Sequence, residues 1–98
     1  MTKPVVTTPE ADRHIRELDR WWRENREKSP DLFTEELAAA FEAIGSAPNA
    51  GKRYRHALKD VRRFLMRSTR NHVYYVELEQ QVLVLAVWGA IKERGPML

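Results

Sequence analysis

The chain has 98 residues, 43% of them hydrophobic, with 17 Lys and Arg against 14 Asp and Glu for a net charge of +3, and no cysteine. This length and composition fit one domain over residues 1–98 with a single core, and exclude both intrinsic disorder and a two-domain arrangement. The missing thiols rule out disulfides, thiolate zinc centres and cysteine nucleophiles, and suit a reducing cytoplasm.

The opening residues, Met1 to Thr8, carry no apolar stretch of secretory type. Val5 and Val6 read as a short strand running into a helix, for which Thr8 is the cap, Pro9 the first-turn residue, and Glu10 and Asp12 the acids that favour its dipole. Ala11, Ile15, Leu18 and Trp22 recur at helical spacing through about residue 27. Arg13, Arg16, Glu17, Arg20 and Glu24 fill the opposite face, and His14 is expected on the helix surface. Ser29-Pro30-Asp31 repeats the start signal. Phe33, Leu37, Ala40, Phe41 and Ile44 form a second apolar stripe, which Gly45 is expected to end. The short connection predicts a helical hairpin.

Residues 45–60, with Gly45, Pro48, Asn49 and Gly51 in their first half, read as a loop that becomes increasingly basic. From Val61 the composition turns β-branched and aromatic in three runs, Val61 to Arg67, His72 to Leu78 and Val82 to Trp88. Ser68-Thr69-Arg70-Asn71 and Glu79-Gln80 are turns, so the runs are expected to pair as an antiparallel meander. The apolar run from Val82 to Ile91 is about half of the ~20 residues a membrane-spanning helix requires, which makes it core and argues against a membrane location. It lacks alternation, as a central strand covered on both faces would. The tail from Gly89 is polar until Met97 and Leu98. The predicted order is β-α-α-β-β-β, an α+β fold with a helical hairpin packed on a small antiparallel sheet.

Charge is distributed unevenly along this order. Residues 1–51 hold seven Lys and Arg against ten acids, a net of −3, while residues 52–72 hold eight against one, a net of +7. The basic block comprises Lys52, Arg53, Arg55, Lys59, Arg62, Arg63, Arg67 and Arg70. Such a field attracts phosphate or a carboxylate-rich partner, whereas a plain solubility surface intersperses both signs. An acidic, amphipathic protein that adds a strand and lays a helix into an apolar groove would suit it.

No Gly-rich phosphate loop, serine nucleophile elbow or His-Glu-x-x-His pair is present in the sequence. His14, His56 and His72 fall on three predicted elements, so no metal site is expected and no cofactor is implied. His56 reads as a solvated loop residue. His72 opens a strand whose neighbour ends in Arg67, which is expected to bring imidazole, guanidinium and the phenol of Tyr74 or Tyr75 together as a cationic cleft. In Val61 to Arg67, alternation separates Val61, Arg63, Leu65 and Arg67 from Arg62, Phe64 and Met66. With helices over Phe64 and Met66, Arg63 and Arg67 face the open side and Arg62 snorkels at a margin. Trp88 is expected in the core, with Lys92 and Arg94 available to a partner.

Val61-Arg62-Arg63-Phe64-Leu65-Met66-Arg67 through His72-Val73-Tyr74-Tyr75, then Ala86-Val87-Trp88-Gly89 and Arg94 to Leu98, with the Thr8-Pro9-Glu10 opening, resemble the RelE/ParE toxin superfamily over nearly the whole chain. The resemblance implies a toxin of a bacterial type II toxin–antitoxin pair, silenced by a cognate antitoxin that wraps the sheet and the hairpin. It is closer to the ParE branch, whose members poison DNA gyrase without performing chemistry. On that reading Arg62, Arg63, Arg67, His72, Trp88, Lys92 and Arg94 meet the target, and Trp22, Phe41, Arg63 and Arg67 meet the antitoxin. The alternative is a RelE-like, ribosome-dependent mRNA endoribonuclease in which Arg67, Lys92 and Arg94 stabilise phosphate charge and His72 moves a proton. Many RelE members carry a tyrosine near the C-terminus, and no tyrosine follows Tyr75 here. A third reading is an inactive member that retains only antitoxin binding.

Overall fold

The computed structural model describes residues 2–55, 60–92 and 94–98. Strand β1 (Val5–Thr7) leads directly into helix α1 (Pro9–Asn25). Thr8 performs the expected cap, its hydroxyl accepting the Ala11 N–H at 3.1 Å, with Pro9 in the first turn. Helix α2 (Leu32–Ser46) completes the helical hairpin. It runs one residue past Gly45, because that glycine is not in the left-handed conformation that would stop a helix. Its missing side chain instead admits the chain before β1. A Cβ there would lie 2.8 Å from the Lys3 carbonyl oxygen, and the Lys3 N–H donates to the Gly45 carbonyl at 3.0 Å.

The sheet has five strands in the order β1-β5-β4-β3-β2. Strands β3 (Val61–Met66), β4 (Asn71–Glu77) and β5 (Val82–Gly89) form the expected antiparallel meander. Two features depart from the expected small antiparallel sheet and the loop before it. Strand β1 pairs in parallel with β5, Val5 opposite Val82, so the sheet is mixed. The stretch expected as loop holds strand β2 (Lys52–Tyr54), antiparallel to β3 with Tyr54 opposite Val61. Three mostly charged residues carry no alternation, and this edge strand forms through backbone pairing to β3. His56 and Lys59 lie outside the described residues.

The helices cover one face of the sheet. Ala11, Phe33, Leu37, Ala40 and Ile44 are buried there against Met66, Val73, Tyr75, Val82, Val84 and Val87. Each large side chain so buried contributes about 1.5–3 kcal/mol of transfer free energy. The other face carries a smaller cluster of Val61, Tyr74 and Ala86, flanked by Tyr54, Val76, Leu85, Trp88 and Leu98. The apolar run of β5 therefore is covered on both sides, as its lack of alternation predicts. A bulge changes the parity within this run: Tyr74 pairs with Ala86 but Tyr75 pairs with Val84, leaving Leu85 as an extra residue. Before the bulge even-numbered Val82 and Val84 face the helices; after it odd-numbered Val87 does, and Ala86 and Trp88 face away.

Beyond Val84 no β1 partner remains, and α1 serves the exposed edge of β5. The Thr8 N–H donates to the Val84 carbonyl at 3.0 Å and the Thr8 hydroxyl to the Leu85 carbonyl at 3.3 Å. His14 Nδ1 accepts the Val87 N–H at 3.3 Å. His14 is thus 5% exposed and part of the packed interior, not a surface residue as its helical position implies. The reason is tertiary: a strand N–H without a ladder partner requires an acceptor, and imidazole reaches it.

Candidate functional site

Two surfaces gather the residues singled out in the sequence. The first is the open face of the sheet. Arg63 lies opposite Tyr74 on β4 and opposite Lys52 on β2, and its guanidinium stands 5.4 Å from the Tyr54 ring centroid. Tyr54 meets Tyr74 edge to face at 4.9 Å, and Tyr74 meets His72 in the same manner at 5.9 Å. His72 sits between Leu65 of β3 and Trp88 of β5. Burial pulls its pKa below the ordinary imidazole range and the Arg63 charge adds to the effect, so the ring is neutral near pH 7.

The cleft expected from the turn differs in its members. Arg63, not Arg67, is the cation whose charge bears on His72, and Tyr74, not Tyr75, is the phenol beside it. Arg67 is exposed where β3 leaves the sheet. Tyr75 points to the helix side, where its hydroxyl accepts the Gly51 N–H and donates to the Pro48 carbonyl, both at 2.8 Å. Arg62 does reach a margin as expected. Its guanidinium donates to the Gly51 carbonyl at 2.9 Å, which commits it to the loop before β2.

The tail returns over this open face. Trp88 Nε1–H donates to the Arg94 carbonyl at 2.8 Å, Gly95 lies against the Tyr54 hydroxyl, Pro96 is buried, and Leu98 packs on the Val61, Tyr74 and Ala86 cluster. The segment is thereby fixed by packing rather than available throughout, although the Arg94 residue itself is exposed. The polar composition of residues 92–95 gives no sign of this return. Only Pro96 and Leu98 carry the apolar surface that makes it.

The second surface is a groove of about 660 Å³ between α1, the turn joining β3 to β4, and the end of β5. Trp21, Trp22 and Trp88 line it together with His14, Leu18 and Ile91. Arg26, Arg70 and Lys92 stand around it, with Glu17 as its acid. Arg26 lies 5.2 Å from the Trp21 ring and 5.5 Å from the Trp22 ring, and Lys92 Nζ 4.1 Å from the Trp88 ring. Trp88 is half-buried and belongs to both surfaces, meeting His14 edge to face at 5.2 Å on the groove side. Sequence reasoning did not find Trp21, Arg26 or Ile91, although two adjacent tryptophans on a helix with one of them off the apolar stripe were the available signal.

The floor of the groove is held from below. The Glu36 carboxylate on α2 accepts the Ser68 N–H at 2.7 Å, the Thr69 N–H at 2.9 Å and the Thr69 hydroxyl at 2.6 Å. Burial acts to raise the Glu36 pKa, but these donors outweigh it and hold the carboxyl below the usual range. Of the residues expected to meet an antitoxin, Trp22 reaches the groove, Phe41 is half-buried against the helix-side core, and Arg63 lies on the opposite face of the sheet.

Among the described residues, no helix is long and apolar enough to cross a membrane. A solved structure described as the chromosomal ParDE TA system from P. aeruginosa is similar to this chain with a TM-score of 0.72 at 10% identity, covering 90% of this chain and 96% of that one. No curated protein matches the sequence. The family described as "ParE toxin of type II toxin-antitoxin system, parDE" matches residues 5–91, and with that the mixed sheet, the helical hairpin and the basic open face take their place: the chain belongs to the ParE toxin family.

Proposed function

We propose that this protein arrests bacterial growth by binding DNA gyrase and stabilising its cleaved complex with DNA, and that a cognate antitoxin in the same cytoplasm neutralises it. The observation that carries this reading is the way the open face is built. Its cation and aromatic rings engage one another, Arg63 over Tyr54, Tyr54 on Tyr74 and Tyr74 on His72, which is a construction for binding an anionic surface. Arg63, Arg67 and His72, with Trp88, Lys92 and Arg94 at the margin, form the target contact. Arg62 supports it indirectly by holding the loop before β2.

The neutral imidazole of His72 beside Arg63 favours a second reading, in which His72 takes a proton from an RNA 2′-hydroxyl while Arg67, Lys92 and Arg94 steady the phosphate. Pulse-labelling of antitoxin-free bacteria within minutes of induction separates the two. An early fall in DNA synthesis with accumulation of cleaved DNA on purified gyrase supports gyrase poisoning; an early fall in protein synthesis with cut mRNA supports the nuclease and overturns it.

A further inference from the structure

We infer that Lys52 and Arg63 on the open face form a seat for one phosphodiester of the duplex DNA that gyrase holds, so that the toxin touches the nucleic acid itself. This rests on the gyrase reading above and names the DNA backbone as part of the target. Strands β2 and β3 pair cation against cation twice: Lys52 stands opposite Arg63, and Arg53 opposite Arg62. Side chains directly opposite on paired strands share a face with their Cβ atoms about 4.5–5.5 Å apart, and like charges so placed destabilise the sheet. Strand β2 has only three residues, and two of them carry this repulsion.

The two pairs meet different surroundings. Alternation sends Arg53 and Arg62 to the helix side, where the Arg62 guanidinium donates to the Gly51 carbonyl at 2.9 Å and Arg53 lies 3.8 Å from the Asp60 carboxylate. Lys52 and Arg63 emerge on the open face with Tyr54 and Tyr74. Neither has an ion-pair partner among the described residues, and Arg63 rests on the Tyr54 ring. Asp60 is the one acid of residues 52–72, and it stands with Arg53. The counter-charge for the open pair therefore comes from outside the chain. A phosphodiester fits, because its single charge is shared by two oxygens, one for the ammonium and one for the guanidinium. A duplex also supplies charge in a continuous row, about one per 1.7 Å of helix axis, which serves the exposed Arg55 and Arg67 of the same basic segment. A protein surface intersperses both signs and offers no such row.

The test uses the full chain, purified gyrase and a duplex carrying a gyrase cleavage site, with the neighbouring variants Lys52→Gln and Arg53→Gln, which remove the same charge from opposite sides of β2. Affinity is measured for gyrase with and without the duplex over a range of salt, cleaved complex is quantified on gels, and melting curves report the fold. Lys52→Gln is expected to lose about tenfold in affinity for the gyrase–DNA complex and about one unit of salt slope, while its affinity for DNA-free gyrase follows the parent. Because it relieves a like-charge pair, it melts no earlier than the parent. Arg53→Gln keeps the parent affinity in both states. Parent affinity of Lys52→Gln for the gyrase–DNA complex overturns the assignment. So does an equal loss on DNA-free gyrase, which gives the pair to an acidic protein surface, and so does an equal loss in Arg53→Gln, which leaves only the diffuse attraction of a basic chain. A parent chain that stabilises no cleaved complex overturns the gyrase reading, and the phosphodiester seat falls with it.

Discussion

His14 on α1 accepts the backbone N–H of Val87 on β5, 73 positions away in the chain, through Nδ1, while its Nε2 lies 3.3 Å from a Glu10 carboxylate oxygen. This bond exists only while Nδ1 is unprotonated. Burial lowers the His14 pKa, with Arg13 adding to it and Glu10 and Glu17 opposing. His72 is lowered too. A histidine whose folded pKa lies below its unfolded value, about 6.5, binds fewer protons folded than unfolded, so stability is complete above that pH and falls on acidification. Denaturant titrations from pH 7.5 to 5.5 are expected to show this slope, and His14→Asn, which keeps an acceptor but does not titrate, is expected to flatten it. An unchanged slope would remove His14 as its source.

Tyr75→Phe deletes a buried hydroxyl that serves both the Gly51 N–H and the Pro48 carbonyl. Two backbone groups of the loop before β2 lose their partner, and the expected cost is about 1–3 kcal/mol in urea unfolding. The ring stays, so the packing beneath α2 should be preserved. A loss confined to a few tenths of a kcal/mol would show that water replaces the hydroxyl.

Glu36→Gln tests the carboxylate under the β3–β4 turn. Three donors converge on Glu36, and its folded pKa lies below the ordinary value near 4.5. A depressed carboxylate stabilises above its unfolded pKa and loses that contribution as pH falls through the folded one. The variant is therefore expected to be about 1–2 kcal/mol less stable at pH 7, with the gap closing toward pH 3. A gap that persists at acid pH would point to lost shape rather than lost charge.

Arg70 occupies a left-handed conformation, φ 59°, and its carbonyl accepts the Ala90 N–H at 2.8 Å. Arg70→Gly removes the steric cost of a Cβ there, about 1–2 kcal/mol, against the larger entropy of an unfolded glycine. Melting should show no loss and up to about 1 kcal/mol of gain. A variant that melts early would place the value of Arg70 in its side-chain contacts.

Local signals were legible in the sequence, and signals joining distant residues were not. Thr8, Pro9 and the 3.6-residue stripes of both helices state their structure within a few positions, and the three β-branched runs do the same. Strand β2 was missed because Lys52-Arg53-Tyr54 becomes a strand only by pairing with Val61 to Arg63. His14 was misplaced because its acceptor role is set by a strand edge that the short β1 leaves uncovered. The basic character of the site was plain, but which arginine stands beside His72 depends on the cross-strand register, which put Arg63 on Tyr74 and left Arg67 outside the sheet. Ile91 gave no warning, since an exposed apolar residue acquires meaning only when a second one faces it across a groove.

The extra residue in β5 acts as a counter that decides which way everything downstream points. With Leu85 inserted between Val84 and Ala86, Val87 turns inward and Trp88 outward, beside His72. Pairing the same residues without the bulge would exchange the two: an indole would be driven toward the helices where a valine now fits, and the shared wall of groove and open face would be rebuilt from a side chain half its size. The identity of Leu85 is open to change; the bulge that absorbs it is what keeps Val87 and Trp88 on their own sides.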